Sequence, residues 1–243
     1  MKRHLPNALT CLNLLCGCIA LTFIFRGDLV TGAYLIGIAA VADFFDGLLA
    51  RALRVSSPIG KDLDSLADMV SFGVVPGAII HKLLSHVAEY GGIPVWLIYT
   101  GFIVSIFSAL RLAKFNNDTR QTTSFIGLPT PACTLVVASL PLILASDTFG
   151  LQGIILNPWV LIGLTVLLSG LLVAEIPLFA LKFKNLRWLG NRRRFIFVVL
   201  ALGLVGWLRA AGIPLAVLLY VLLSVPGRVR SRDAIEPAAP GPQ

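Results

Sequence analysis

Asp43, Asp46, Asp64 and Asp68 fall within 26 residues of an otherwise apolar stretch, ADFFDGLLARALRVSSPIGKDLDSLAD. The first two are i, i+3 and the last two i, i+4, so on helices each pair shares one face. A carboxylate at membrane depth costs about 3 kcal/mol even on mild scales. Four together repel strongly in low dielectric. One or two divalent cations would resolve the conflict, and oxygen-only ligands suit hard ions such as Mg²⁺, Mn²⁺ or Ca²⁺. Two metals can also clamp phosphates and stabilise a phosphoryl-type displacement. The neighbours fit that chemistry. Gly47 and Ala50 leave room for a bulky ligand near the helix backbone, Arg51 offers a fork for phosphate, and Gly60 permits close contact. Capping and pairing with Arg51, Arg54 and Lys61 would explain Asp62, which lies off the Asp64/Asp68 face. It does not explain all four motif aspartates.

Elements that could position such a cluster follow from composition. The chain is 57% hydrophobic and 13% charged, with mean hydropathy +0.87. These values exclude an ordinary soluble domain and indicate an all-α, polytopic transmembrane bundle. Eight apolar segments occur, near 8–25, 29–50, 66–84, 93–112, 130–146, 157–180, 195–209 and 213–226. The last two are short enough to form a re-entrant pair instead of two spans. The N-terminus has the charge and greasiness of a signal peptide without a clear cleavage site, and reads as a retained first span. Residues 1–227 form the expected membrane domain. Residues 228–243 are polar and rich in Pro and Ala, and read as a disordered cytoplasmic tail.

The net charge of +8 lies in short connections, which points to topology and anionic lipid rather than nucleic acid. Seventeen of the 20 Lys and Arg residues fall at the N-terminus and in alternate connections on the same side. The positive-inside rule then puts both termini, the aspartates, the 111–131 segment and the basic run KFKNLRWLGNRRR in the cytoplasm. That run reads as a topology anchor and lipid contact. The short connector Ala52–Leu63, with its Ser-Ser-Pro, forces an antiparallel hairpin that brings the carboxylate pairs together. Cys11, Cys16, Cys18 and Cys133 sit in apolar segments as small hydrophobes and imply neither a disulfide framework nor a zinc site. His81 and His86 fall on the outer side, away from the aspartates.

The aspartate stretch fits Asp-x2-Asp-Gly-x2-Ala-Arg-x8-Gly-x3-Asp-x3-Asp, the signature of the CDP-alcohol phosphatidyltransferases. Asp43, Asp46, Gly47, Ala50, Arg51, Gly60, Asp64 and Asp68 fill every fixed position. HLPNALTCLNLLCG, GKDLDSLADMVSFGVVP and LRLAKFNNDTRQTTSFIGLPTPA resemble a branch of that family, the membrane-embedded bacterial phosphatidylserine synthases. The likeness runs from His4 to about Ala132, roughly half the chain. It implies a helical enzyme of the bacterial cytoplasmic membrane with a cytoplasm-facing site for two divalent ions. An alcohol attacks the lipid-side phosphate of a CDP-linked lipid, and CMP leaves in a single displacement. By the same resemblance, Asp43, Asp46 and Asp64 are metal ligands. Asp68 also reaches the metal site and is general base on the hydroxyl. Gly47, Ala50 and Arg51 contact the CDP moiety, and Gly60 lies against the nucleotide. CDP-diacylglycerol is the implied donor and L-serine the implied acceptor, with a homodimer as the family's assembly.

Serine needs a cation for its carboxylate, and Arg111, Lys114, Asn116 and Arg120 lie in one cytoplasmic segment that could supply it. Read blandly, they are a positive-inside loop touching lipid. Asn7, Thr10 and Asn13 recur at intervals of three and would hydrogen-bond either the nucleotide or a neighbouring helix. Phe125–Ala132 reads as a Gly/Pro-broken entry to the fifth segment, or as an ordinary helix start. Glycerol 3-phosphate or an inositol phosphate would be the acceptor of a sister enzyme, and the basic residues at 111–120 keep that alternative open. In intramembrane prenyltransferases the acidic motifs lie far apart, whereas only 17 residues separate Asp46 from Asp64. A metal or ion transporter would favour mid-membrane carboxylates in repeated halves. Asp147 and Glu175 stand alone in residues 133–226.

Overall fold

The structure is a computed structural model that describes residues 4–55, 57–117, 124–179 and 191–224. Arg120, residues 182–190 of the basic run and the tail 228–243 lie outside these. The chain opens with α1 (His4–Phe25) and α2 (Leu29–Leu53), an antiparallel pair joined by a tight turn. Gly27 makes that turn at φ 93°. Asp28 then caps α2, accepting the Thr31 amide at 3.0 Å. At the far end α2 stops at Arg54 in the left-handed region, whose amide returns to the Ala50 and Arg51 carbonyls.

Ser57 and Pro58 start the next helix in the usual way, a side-chain cap followed by proline in the first turn. It runs as α3 (Pro58–Asp68), a π-helical turn (Met69–Val74) and α4 (Val75–Glu89) without interruption. The Val75 amide reaches back to the Val70 carbonyl, which is π register. A 3₁₀ segment (Val95–Phe102) leads into α5 (Ile103–Asn117). It packs on α4 so closely that a Cβ on Gly101 would lie 2.6 Å from the His81 amide nitrogen. His81 stacks there on Phe102 with centroids 5.2 Å apart.

Beyond α5 come β1 (Ser124–Ile126), α6 (Thr130–Ser146), α7 (Gln152–Ile155), α8 (Pro158–Val173), β2 (Pro177–Phe179), α9 (Arg192–Leu208) and α10 (Gly212–Ser224). The architecture is helical as expected, apart from one antiparallel strand pair that the sequence reading did not foresee. In it Ser124 faces Phe179, Phe125 faces Leu178 and Ile126 faces Pro177. The Gly127 and Leu128 amides extend the attachment to the Ile176 and Leu171 carbonyls. The entry to α6 is thus tied to the end of α8.

Each of the eight apolar stretches contains helix, and the sixth also holds β2. Among the described residues, five helical segments are long and apolar enough to cross a membrane: His4–Phe25, Leu29–Leu53, Pro58–Glu89, Val95–Asn117 and Arg194–Ser224. α6 and α8 are shorter. Arg194–Ser224 folds back on itself at Arg209 (φ 51°, ψ −129°), since Phe197 of α9 meets Tyr220 of α10 at 5.5 Å. Pro58–Glu89 is the centre of the bundle, with 56% of its most apolar window buried against 6% for Arg194–Ser224. Val75, Ile79, Ile80 and Leu84 of α4 share one core with Ala20, Ile24 and Ile36 of α1 and α2 and with Val137, Leu161 and Leu172 of α6 and α8. Exposed Leu12, Ile38, Phe45, Leu167 and Leu202 lie on the outer faces, as side chains facing lipid would.

Candidate active site

Three helices build the acidic centre. α2 supplies Asp43 and Asp46, α3 supplies Asp64 and Asp68, and α1 lies across both. Carboxylate oxygens of Asp43, Asp64 and Asp68 all lie within 4.8 Å of one another, and all three side chains are half-buried. Asp46 stands beside this triad and is only 5% exposed. Its Oδ2 accepts a 2.6 Å hydrogen bond from Thr10 Oγ1. Asn13, fully buried on the next turn of α1, donates from Nδ2 to Asp68 Oδ1 at 3.3 Å. The α1 polar stripe therefore meets the aspartates, and two of its three members orient them.

Among the described residues no Lys, Arg or His lies within ion-pair distance of Asp43, Asp64 or Asp68. Three carboxylates this close and half-buried repel one another, and a bound cation would relieve that repulsion. Their donor set is wholly oxygen, and the buried Asn13 Oδ1 beside them has no partner. Hard divalent ions match that set. The residues present thus fit the divalent metal that the resemblance implies.

A cavity of about 260 Å³ opens beside Asp46 and Asp64. Asn7, Thr10, Gly47, Ala50 and Gly60 line it, so two members of the α1 polar stripe meet three of the four residues expected at the CDP moiety. Its floor exists because these positions are small. A Cβ on Gly60 would sit 2.9 Å from Ser57 Oγ and 3.1 Å from Asn7 Oδ1. Arg51 is the exception: it is exposed and does not line the cavity, although its Nη1 lies 3.6 Å from where a Gly47 Cβ would be.

The three acceptor candidates among the described residues do not gather. Arg111 turns inward, 7% exposed, close enough to Asp68 to interact electrostatically. Its Nη1 reaches Thr130 Oγ1 only at a long 3.4 Å, it lies over the Phe115 ring at 5.8 Å, and its buried Nε has no partner. Lys114, one turn further along α5, is exposed. Asn116 is engaged with α3: its Nδ2 donates to Ser65 Oγ at 2.8 Å and its carbonyl accepts Lys61 Nζ at 3.1 Å. Sequence reasoning missed Ser65, Thr130 and a layer of buried hydroxyls, Ser71, Ser105 and Thr134. The available signal was small polar residues inside apolar helices, which seek partners on neighbouring helices.

Fold and site together define a helical membrane protein with an acidic, cation-accepting centre and a ligand cavity against it. The family model described as CDP-alcohol phosphatidyltransferase matches residues 3–171, and the chain belongs to that transferase family. It is similar to the CDP-diacylglycerol–serine O-phosphatidyltransferase of Bacillus subtilis (strain 168), 33% identical over 159 residues, 63% of this chain and 87% of that protein. The protein of the same name from Helicobacter pylori (strain J99) is 32% identical over 204 residues, 82% of this chain and 80% of that one. An archaetidylserine synthase of Methanothermobacter thermautotrophicus is 32% identical over 137 residues, 56% of each chain.

Proposed function

We propose that this protein is a phosphatidylserine synthase, which transfers the phosphatidyl group of CDP-diacylglycerol to the hydroxyl of L-serine and releases CMP. The carrying observation is that one carboxylate cluster has the small-residue cavity on one side and a buried, underused guanidinium on the other. The names of the bacterial relatives favour serine as acceptor. The archaetidylserine synthase name also contains serine.

Asp43, Asp46, Asp64 and Asp68 would hold two divalent ions, Mg²⁺ or Mn²⁺, which would supply Lewis-acid chemistry when bound. Asn7, Thr10, Gly47, Ala50 and Gly60 receive the cytidine end, and Arg51 approaches its phosphates from the rim. Asp68 takes the proton of the serine hydroxyl as its oxygen bonds to the lipid-side phosphorus. The bond from that phosphorus to the CMP oxygen breaks, and CMP leaves with the electron pair. Arg111 meets the serine carboxylate as a charge-assisted pair. Lys114 and Arg120 complete the positive approach to the site, and Asn116 holds α5 against α3.

The same reading has eight spans in residues 1–227, with the tail, both termini and the acidic site on the cytoplasmic side of the bacterial membrane. The lysine and arginine distribution supports it, and reporter fusions after Phe25, Arg54, Tyr90 and Gln243 test it. A homodimer completes the proposal, and cross-linking in native membranes checks it. The decisive experiment is a transfer assay on the purified protein in detergent with CDP-diacylglycerol and Mn²⁺ or Mg²⁺. Labelled L-serine is compared with labelled glycerol 3-phosphate, inositol and inositol phosphate. Metal-dependent CMP release with label entering lipid from serine alone supports the proposal. Label from another alcohol keeps the chemistry and overturns the acceptor. No transfer by folded protein overturns both.

A further inference from the structure

Directly after Asp68 the helix changes register. Met69–Val74 is π-helical, while the chain on either side is α-helical. A π turn is less favourable than an α turn and persists where outside contacts hold it. Relaxing it by one residue would rotate the Asp68 side of the helix by roughly 100° against the α4 side. Asp68 therefore depends on whatever fixes this turn.

Three helices grip it. From α6, Thr134 Oγ1 donates to the Phe72 carbonyl at 2.9 Å. From α5, Ser105 Oγ donates to the Gly73 carbonyl at 2.8 Å. Toward α1, Ser71 of the turn donates to the Asn13 carbonyl at 3.0 Å, and Gly17 is in contact with Ser71. Ser71, Phe72 and Thr134 are wholly buried, so these bonds compete with no bulk water. The same two helices, α5 and α6, also carry Arg111 and its partner Thr130. Thr134 sits one turn beyond Thr130, and its single hydroxyl hydrogen is shared between the Phe72 and Thr130 carbonyls, each at 2.9 Å.

We propose that Thr134 and Ser105 are positioning residues. Their hydroxyls lock the π turn through the Phe72 and Gly73 carbonyls, and so hold the Asp68 carboxylate in register with Arg111. Neither residue touches substrate. The proposal rests on Asp68 being the base of the transfer reaction.

The test compares Thr134→Val, Thr134→Ser, Ser105→Ala and Asp68→Asn with wild type as full-length protein in detergent. It reads kcat, KM for CDP-diacylglycerol and melting temperature. A carboxylate displaced by a fraction of an ångström to 1 Å should cost about tenfold or more in rate. Thr134→Val, which keeps the shape and loses the hydroxyl, should lower kcat by about that factor, with KM for CDP-diacylglycerol within about twofold of wild type. Thr134→Ser should restore kcat, and Ser105→Ala should show the same split as Thr134→Val. If Thr134→Val does not fold, Ser105→Ala decides by the same split. Wild-type kcat in the folded valine and alanine variants, with Asp68→Asn inactive, would overturn the lock alone. So would losses that serine at position 134 fails to restore. Full turnover in Asp68→Asn would overturn the lock and the assignment of the base together.

Discussion

Thr10 Oγ1 on α1 donates to Asp46 Oδ2 on α2 at 2.6 Å, with both residues buried. The hydroxyl is also 3.1 Å from the Pro6 carbonyl, but a charged acceptor at the shorter distance holds the hydrogen more strongly. Thr10 thus fixes the carboxylate at the border between acidic triad and cavity. Replacing it with valine should lower transfer roughly tenfold, about 1.4 kcal/mol, and raise the Mn²⁺ concentration for half-maximal rate. Serine should retain most of the activity. Rate against metal concentration for the three proteins checks this.

Metal should stabilise the fold through the triad. A ligand at 100 times its Kd adds about 2.7 kcal/mol to a protein that binds it only when folded. Mn²⁺ or Mg²⁺ should therefore raise the melting temperature of the detergent-solubilised protein, and EDTA should reverse the gain. Asp43→Asn, Asp64→Asn and Asp68→Asn should each blunt the increment. Each should also melt higher than wild type without metal, because one of three crowded like charges is gone. Asp46→Asn should blunt it less, since that carboxylate lies outside the triad. Equal metal increments in all four variants would argue against the triad as the metal site.

Arg111 and Lys114 are three residues apart on α5, yet Arg111 is buried and feels the Asp68 charge while Lys114 is exposed. Arg111→Lys loses the planar fork as well as reach, so charge alone should not rescue it. Arg111→Lys should raise KM for serine by roughly tenfold, about 1.4 kcal/mol, while KM for CDP-diacylglycerol stays near wild type. Lys114→Ala should change neither by more than about twofold, as expected for an exposed charge. Initial rates with each substrate varied in turn separate these outcomes.

Gly127 ties the strand pair to α6 with φ 78°, and a Cβ there would meet the Leu172 carbonyl at 2.5 Å and the Ala174 carbonyl at 3.1 Å. Gly127→Ala combines backbone strain with a backbone clash and should cost about 3 kcal/mol. Gly150 has φ 62° and open space around its missing Cβ. Gly150→Ala should cost only the strain, about 1 kcal/mol. Melting temperatures of the two variants isolate the clash.

The aspartates were legible because helix periodicity fixes which side chains share a face, and a short connector fixes which faces meet. The apolar segments were legible because bilayer thickness demands long greasy runs. Arg111 shows where linear reading stops. It was grouped with Lys114, Asn116 and Arg120 as one basic stretch. α5 continues as a helix through Asn117, and its polar residues part company there: Arg111 is buried, Asn116 bonds to Ser65 of α3 and Lys114 stays exposed. The π turn left no trace because its cause lies elsewhere: Thr134 is 62 positions from Phe72 and Ser105 is 32 from Gly73. The β1–β2 pair joins residues more than 50 positions apart, through strands too short to carry an alternating pattern.

Every residue lining the cavity beside Asp46 lies between Pro6 and Asp64. Such neighbours meet after closing only short loops, which is entropically cheap and fast. During synthesis the first three helices can therefore shape this pocket while the later spans are still in the ribosome. The Arg111 side and the grip on the π turn must wait for α5 and α6. On the proposed assignment of the two sides, the enzyme should be born with its donor pocket formed and its acceptor side unfinished, so a chain stalled before α6 should bind nucleotide-lipid and fail to turn it over.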